Sequence, residues 1–312
     1  MKSITVNKNE AGQRLDKLLG KYLNLAGKGF LYKMMRKKNI VLNGKKCDGS
    51  EKLAEGDEIK LFLADETIEK FSEVKIQKVK KTKLHIIYED EHVLLINKPS
   101  GMLSQKAKEQ DESLVEYLID YLLDSGKLTK EDLRSFRPSV CNRLDRNTTG
   151  LLLMGKTLAG AQMLSEGLRE RTIHKFYRAI VSGNVTKPVH LSGWLIKDEH
   201  TNQVKILTQE QKDAVRIETS YTSVQAKGTC SLLEICLITG KTHQIRAHLA
   251  SVGHPVIGDR KYGDPSVNHK FYGTFHVDHQ LLHAYRLEFP DGRVFTAPMP
   301  EIFKEIMEKE RG

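Results

Sequence analysis

The 312-residue chain is 39% hydrophobic and 29% charged, with 50 Lys and Arg against 40 Asp and Glu, a formal net charge of +10. That length allows one sizeable core and a small accessory unit, and its longest apolar runs, Val93 to Ile96 and Leu151 to Met154, fall far short of the roughly 20 residues of a membrane-spanning helix. The start, MKSITVNKNE, has no apolar stretch behind its lysine, so no secretory leader is indicated and a soluble, cytoplasmic protein with no membrane association is expected.

The positive charge is unevenly spread. Residues 1–83 hold 20 Lys and Arg against 11 Asp and Glu, a net of +9, which leaves +1 for everything after them. A concentrated positive field favours polyanions, so nucleic acid is the leading partner class, although a basic helix face is often only solvated. Within this segment RLDKLLGKYL (14–23) places Leu15, Leu18, Leu19 and Tyr22 at helical spacing, and FLYKMMRKK (30–38) does so again with cations on its other face. NIVLNGKKC then reads as a strand entering an Asn43-Gly44 turn, and EGDEIKLFL as a turn followed by a strand. This order resembles the ribosomal-protein-S-four-type RNA-binding domain, or alpha-L motif. The resemblance implies phosphate contacts by Arg14 and by the basic helix residues Lys33, Arg36, Lys37 and Lys38. The expected organisation is an RNA-binding unit over 1–65, a charged linker over 66–83 and a larger catalytic domain over 84–312.

From Leu84 the texture changes. LHIIYED, HVLLINK, GLLLMGK, KFYRAIV, AVRIETSYTSV, CSLLEICLI and AYRLEFP read as strands. Helical spacing predicts helices over Leu114–Leu123 and Leu158–Leu168, with shorter ones over Gln244–Ser251 and near the C-terminus. Strands outnumber helices without alternating regularly with them. The fold class is therefore α+β: a mixed, largely antiparallel sheet with flanking helices, plus a small α+β unit.

The most informative stretch is NRLDRNTTGLLLMGK (142–156), read as a short strand ending in Asp145, a polar turn and an apolar strand. Arg143, two residues earlier, would share a face with Asp145 if the backbone is extended, giving either a site or a plain ion pair. HKFYRAIVSG (174–183), ITGKTHQIRAHL (238–249) and HPVIGDRKYG (254–263) follow. With IYEDEHVLLINKPSGMLSQ (87–105) before them, these motifs resemble the RluA-type pseudouridine synthases, in order, from about Leu84 to Phe289.

The resemblance implies isomerisation of uridine to pseudouridine in structured RNA, large-subunit ribosomal RNA first and transfer RNA as the alternative. No cofactor and no obligate protein partner is expected. It makes Asp145 the essential carboxylate, Arg143 the residue filling the space of a flipped base, Tyr177 the ring stacked on uracil, and Arg246 the partner of Asp145. Lys241 would be a further cationic RNA contact. Two positions depart from the family pattern: Asn142 stands where His is usual, and Lys241 where Arg is usual.

Other constellations carry less. His243 and His248 are five residues apart, which does not bring two ligands onto one helical face, and the four cysteines (Cys47, Cys141, Cys230, Cys236) show no CxxC spacing, so neither a metal site nor disulfides is expected. Cys141 reads as a core residue. A non-catalytic RNA-binding or ribosome-assembly factor and a hydrolytic nuclease remain as rival readings.

Overall fold

The computed structural model describes residues 1–80, 82–198 and 201–311. The first part of the chain forms β1 (Lys2–Thr5), α1 (Leu15–Tyr22), α2 (Lys28–Arg36), β2 (Ile40–Leu42), β3 (Lys45–Lys46), β4 (Glu58–Leu61) and α3 (Asp65–Phe71). The four strands make one sheet in the order β1-β4-β2-β3. Leu15, Leu18, Leu19 and Tyr22 turn one face of α1 inward, and they share a core with Met34 and Met35 of α2 and Ile59 and Leu61 of β4.

The stretch expected as a linker from residue 66 begins differently: it lies within α3, whose Ile68 and Phe71 pack on this same core. After α3 the chain runs without regular structure but is tied to the larger body. Arg137 Nη1 donates to the Lys75 carbonyl at 3.1 Å and Gln77 Nε2 to the Asp111 carbonyl at 3.4 Å. Lys81, in the same stretch, lies outside the described residues. Across the two parts, the Tyr22 hydroxyl donates to Glu131 at 2.9 Å and the Arg134 guanidinium sits 5.6 Å from the Tyr22 ring centroid.

The remainder forms β5 (Ile86–Glu89), β6 (Val93–Lys98), α4 (Leu114–Asp124), α5 (Asp132–Ser135), β7 (Ser139–Val140), β8 (Thr149–Gly155), α6 (Leu158–Arg169), β9 (His174–Ser182), β10 (Val189–Asp198) and β11 (Gln203–Leu207). It continues with β12 (Val215–Lys227), β13 (Cys230–Leu237), α7 (Gln244–Ser251), α8 (Pro265–Phe275), β14 (Leu282–Glu288), β15 (Val294–Thr296) and α9 (Glu301–Lys309). Nine strands run β11-β10-β12-β13-β9-β14-β8-β6-β5, with β15 on β14 and β7 on β8. Every pairing in this sheet is antiparallel except β14 with β8. The mixed, largely antiparallel α+β architecture is the one the strand-rich pattern predicts.

Strands β6 and β8 read as unbroken apolar runs because both faces of the sheet are covered here. Leu94, Ile96, Leu152 and Met154 join the core that includes α4, while Val93, Leu95, Leu151 and Leu153 join the one that includes Leu164 of α6. Ser113 and Glu116 start α4 with a reciprocal capping box. At the start of β8, Gly150 has φ +106, and an added Cβ would lie 2.2 Å from the Ala284 carbonyl oxygen. Glycine is thus what lets β8 approach β14, and this approach fixes the strand that follows the Asp145 loop.

Candidate active site

Asp145 does not end a strand. Strand β7 stops at Val140, and the Leu144 backbone satisfies itself on a side chain: its N–H donates to Ser104 Oγ at 3.0 Å and its carbonyl accepts from the same hydroxyl at 2.8 Å. Just upstream, Asn142 Oδ1 accepts the Leu153 amide at 2.7 Å and its Nδ2 donates to the Leu151 carbonyl at 3.4 Å. The amide side chain thereby does a strand's hydrogen bonding along β8 while the main chain is free to turn. Downstream, the Thr148 amide donates to the Asp145 carbonyl at 3.0 Å.

Lys98, at the end of β6, holds the same loop from below. Its ammonium is fully buried and donates to the carbonyls of Arg146 at 2.7 Å, Met102 at 2.8 Å and Pro99 at 3.0 Å. Burial lowers its pKa from an ordinary 10.5 to about 7, against the opposing pull of Asp145.

The Asp145 carboxylate is grasped from α7. Arg246 Nη1 donates to Asp145 Oδ2 at 2.6 Å, and the rest of the guanidinium forks onto Asp259, Nε at 2.7 Å and Nη2 at 2.8 Å. One planar cation serves two carboxylates, holding Asp259 bidentately while its remaining nitrogen reaches Asp145, a fixed fork that a single ammonium nitrogen cannot reproduce. Asp259 is buried, but its hydrogen bonds from Arg246 and from the Lys261 and Tyr262 amides outweigh burial and hold its pKa below the usual carboxylate range. Tyr262 lies under the guanidinium, 5.3 Å from ring centroid to carbon. Asp259 and Tyr262 belong to the HPVIGDRKYG motif, yet sequence reasoning gave them no role. Their signal was a second carboxylate and an aromatic close behind the arginine.

Of these groups, Asp145 and Arg246 line a cleft of about 1110 Å³. Eleven Lys and Arg side chains line it, and Asp145 is the one Asp or Glu lining it among the described residues. Tyr177, on β9, reaches the cleft from the sheet; burial, with the nearby Asp145 charge second, raises its pKa. Arg143 is exposed on the cleft wall, and among the described residues it makes no ion pair with Asp145, since the backbone there is not extended strand. Lys241 is exposed at the rim.

The remaining candidates lie on the N-terminal part. Lys33, Arg36, Lys37 and Lys38 are exposed along and just after α2. Arg14 is instead paired with Asp16, Nε to Oδ1 at 3.1 Å and Nη2 to Oδ2 at 3.0 Å, so its charge is locally compensated. His243 and His248 diverge: His243 faces Tyr262 and Asp145, whereas His248 is buried against Thr219 Oγ1 at 3.1 Å. Among the described residues no group of three or more His, Cys, Asp and Glu could hold a metal ion. Cys141 is part-buried, its thiol pKa raised by burial.

A single arginine-bound carboxylate in a cationic cleft, carried on a mixed sheet, suits a polyanionic substrate. Residues 92–251 match the family described as RNA pseudouridylate synthase. Over 97% of its length the chain is 30% identical to the Ribosomal large subunit pseudouridine synthase C of Vibrio parahaemolyticus, covering 95% of that protein. It is also 30% identical to the protein of the same name from Escherichia coli K12, over 100% of this chain and 97% of that one. Among solved structures, Human RNA Pseudouridylate Synthase Domain Containing 4 shares the fold at TM-score 0.59 and 20% identity, over 72% of this chain and 92% of that one. Human RNA Pseudouridylate Synthase Domain Containing 1 does so at TM-score 0.53 and 23% identity, over 72% and 87%. The chain belongs to the RNA pseudouridylate synthase family and is an RNA pseudouridine synthase.

Proposed function

We propose that this enzyme converts uridines of large-subunit ribosomal RNA to pseudouridine, with Asp145 as the catalytic carboxylate. The observation that carries the reading is the setting of that side chain: it is the lone acid lining the cleft, and Arg246 binds Oδ2 while Oδ1 accepts no hydrogen bond among the described residues. The choice of ribosomal RNA is supported by the names of the relatives that match the chain almost end to end.

In the reaction the bond from ribose C1′ to uracil N1 breaks, the uracil turns, C1′ bonds to C5, and C5 loses a proton while N1 gains one. The atoms balance within the substrate, without oxidant or reductant. A base in a stacked helix is out of reach, so the uridine must leave the stack, at a cost of a few kcal/mol. Tyr177 offers a ring for the extruded uracil, and Arg143, which makes no ion pair among the described residues, fills the place it vacates from the cleft wall. Asp145 acts by adding to sugar or base or by removing a sugar proton; all three routes require the carboxylate that Arg246 orients. Residues 1–65, extended by α3, serve as the anchoring unit, with Lys33, Arg36, Lys37 and Lys38 on phosphates.

The test is a map of pseudouridines in ribosomal and transfer RNA from cells with and without the protein. Sites lost from large-subunit ribosomal RNA are expected. Loss confined to transfer RNA, or no loss, would overturn the substrate assignment.

A further inference from the structure

His243 enters α7 as its cap residue in a left-handed backbone conformation, φ 53 and ψ 14. Residues other than glycine are uncommon there, with Asn, Asp and His over-represented. The imidazole lies between two groups of the site: Nδ1 is 2.9 Å from the Tyr262 hydroxyl, and Nε2 is 3.9 Å from Asp145 Oδ1. The Tyr262 oxygen accepts the Val204 amide at 2.9 Å, so its own proton is directed to Nδ1. With Nδ1 accepting, a neutral ring carries its proton on Nε2, toward the carboxylate oxygen that Arg246 leaves uncovered.

The ring is 8% exposed. Burial, opposed by Asp145 and Asp259 and reinforced by Arg246 and Lys261, holds its pKa below the ordinary imidazole value, so it is neutral at neutral pH. A neutral donor can orient a carboxylate without competing with the guanidinium for its charge. The 3.9 Å separation is too long for a hydrogen bond, but catalytic hydrogen bonds are often long before substrate binds and tighten in the complex.

Resting on the reading of Asp145 as the catalytic carboxylate, we propose that His243 is a positioning residue. Tyr262 holds it in one tautomer, and its Nε2–H closes on Asp145 Oδ1 when a uridine enters, so that Arg246 and His243 together fix the carboxylate plane. Rotation of that carboxylate by a fraction of an ångström at the reacting oxygen is enough to slow a reaction that depends on aligned attack.

The experiment measures single-turnover tritium release from ribosomal RNA labelled at C5 of uridine, together with RNA affinity and melting temperature, all on the full chain. His243→Asn suits the left-handed backbone at least as well as histidine but lacks the Nε2 donor. It is expected to keep its melting temperature and RNA affinity while the rate falls about 10- to 100-fold. His243→Gln fits the backbone less well but returns an N–H donor near the Nε2 position, so it should recover most of the rate at a lower melting temperature. Tyr262→Phe, which frees the tautomer, should fall between them. A merely structural histidine gives the reverse order, with Asn at the wild-type rate and Gln impaired. That result alongside an inactive Asp145→Asn overturns the role of His243 and leaves Asp145 standing; tritium release by Asp145→Asn overturns both.

Discussion

The N-terminal unit and the cleft of the larger body both present positive charge to a polyanion, but only the first does so through an excess in its composition. The N-terminal unit, residues 1–71, carries +5 of the chain's +10, and the segment that follows it, 72–83, another +4. The rest is almost balanced, yet among the described residues the cleft wall holds eleven cations and a single acid. The matching acids of the larger body lie on other faces: Glu89 takes Lys127 and Lys156, each at 2.6 Å, and Glu234 takes Arg178 at 2.8 Å. What decides the local field is therefore how the fold sorts charges, and a segment with no net charge can hold as basic a surface as one that is visibly cationic. The cations also differ in kind: those along α2 stand exposed to solvent, whereas Arg246 is locked between two carboxylates.

If the cleft performs chemistry and the N-terminal unit only anchors, substitutions in the two should separate rate from affinity. The largest effect is expected from Asp145→Asn. Tritium release from C5-labelled RNA should fall by at least about 10²- to 10⁴-fold, with RNA affinity within about tenfold, or 1.4 kcal/mol. A folded variant that still releases tritium above a no-enzyme control would break the comparison at its centre.

Next in size is Arg246→Lys. An ammonium cannot replace a fork that spans Asp145 and Asp259, so the rate should drop about 10²-fold. Because Asp259 is left buried with a poorer partner, the melting temperature should fall as well, more than it does for Asp145→Asn. Equal melting temperatures for the two variants would show that the buried half of the network contributes nothing to stability.

Arg143→Ala sharpens the division within the cleft. Its rate loss should be about tenfold or more on a uridine in structured RNA and slight on the same uridine in an unstructured oligonucleotide, since only the former requires unstacking. Equal losses would place Arg143 on the carboxylate and not in the vacated stack.

On the N-terminal unit, changing Lys33, Arg36, Lys37 and Lys38 together to Gln should weaken RNA binding while the single-turnover rate at saturating RNA is maintained. The salt dependence of log affinity should become shallower by roughly 0.7 to 0.9 for each phosphate that is no longer neutralised. Arg14→Gln should change that slope little, because Asp16 already compensates the charge. An unchanged slope in the quadruple variant would move phosphate binding to the cleft alone.

A separate comparison concerns stability and not rate or affinity. The folded-state pKa of Lys98 is lowered to about 7 from an ordinary 10.5, so between those values the unfolded chain binds a proton that the folded chain does not. Stability from this group accordingly rises with pH across that window and is flat below it. Denaturant titrations of wild type and Lys98→Met should show a difference in unfolding free energy that grows in favour of wild type from about pH 7 to about pH 10. A constant difference would mean that the ammonium stays charged in its cage of carbonyls.

The elements that could be read in advance are those whose signal is local. Helices α4 and α6 follow from apolar spacing, and the sequence expectation for α7, Gln244–Ser251, coincides with the structure. The apolar runs of β6 and β8 announce strands, though not that α4 and α6 cover opposite faces. β10 and β11 escaped because their apolar positions are interrupted by Gly193 and by charged residues. Helix α8 had a readable start, with Asp264 capping and Pro265 in the first turn, but a weak apolar pattern after it. The strand expected up to Asp145 gave way to a loop because Ser104, about forty residues earlier in the chain, takes both hydrogen-bonding groups of Leu144.

The sequence by itself determined the α+β class, the basic N-terminal segment and the motifs that hold Asp145, Tyr177 and Arg246, since each is written in contiguous residues. The pairing of Arg246 with Asp145 was implied by the family resemblance, but only the tertiary structure decided that Asp259 shares its guanidinium, that Lys98 braces the loop, and that a nearly neutral segment encloses a cationic cleft. The physical reason is that orientation of a charged group is set by partners brought together when the core closes, and their distance along the chain carries no periodic trace of that meeting.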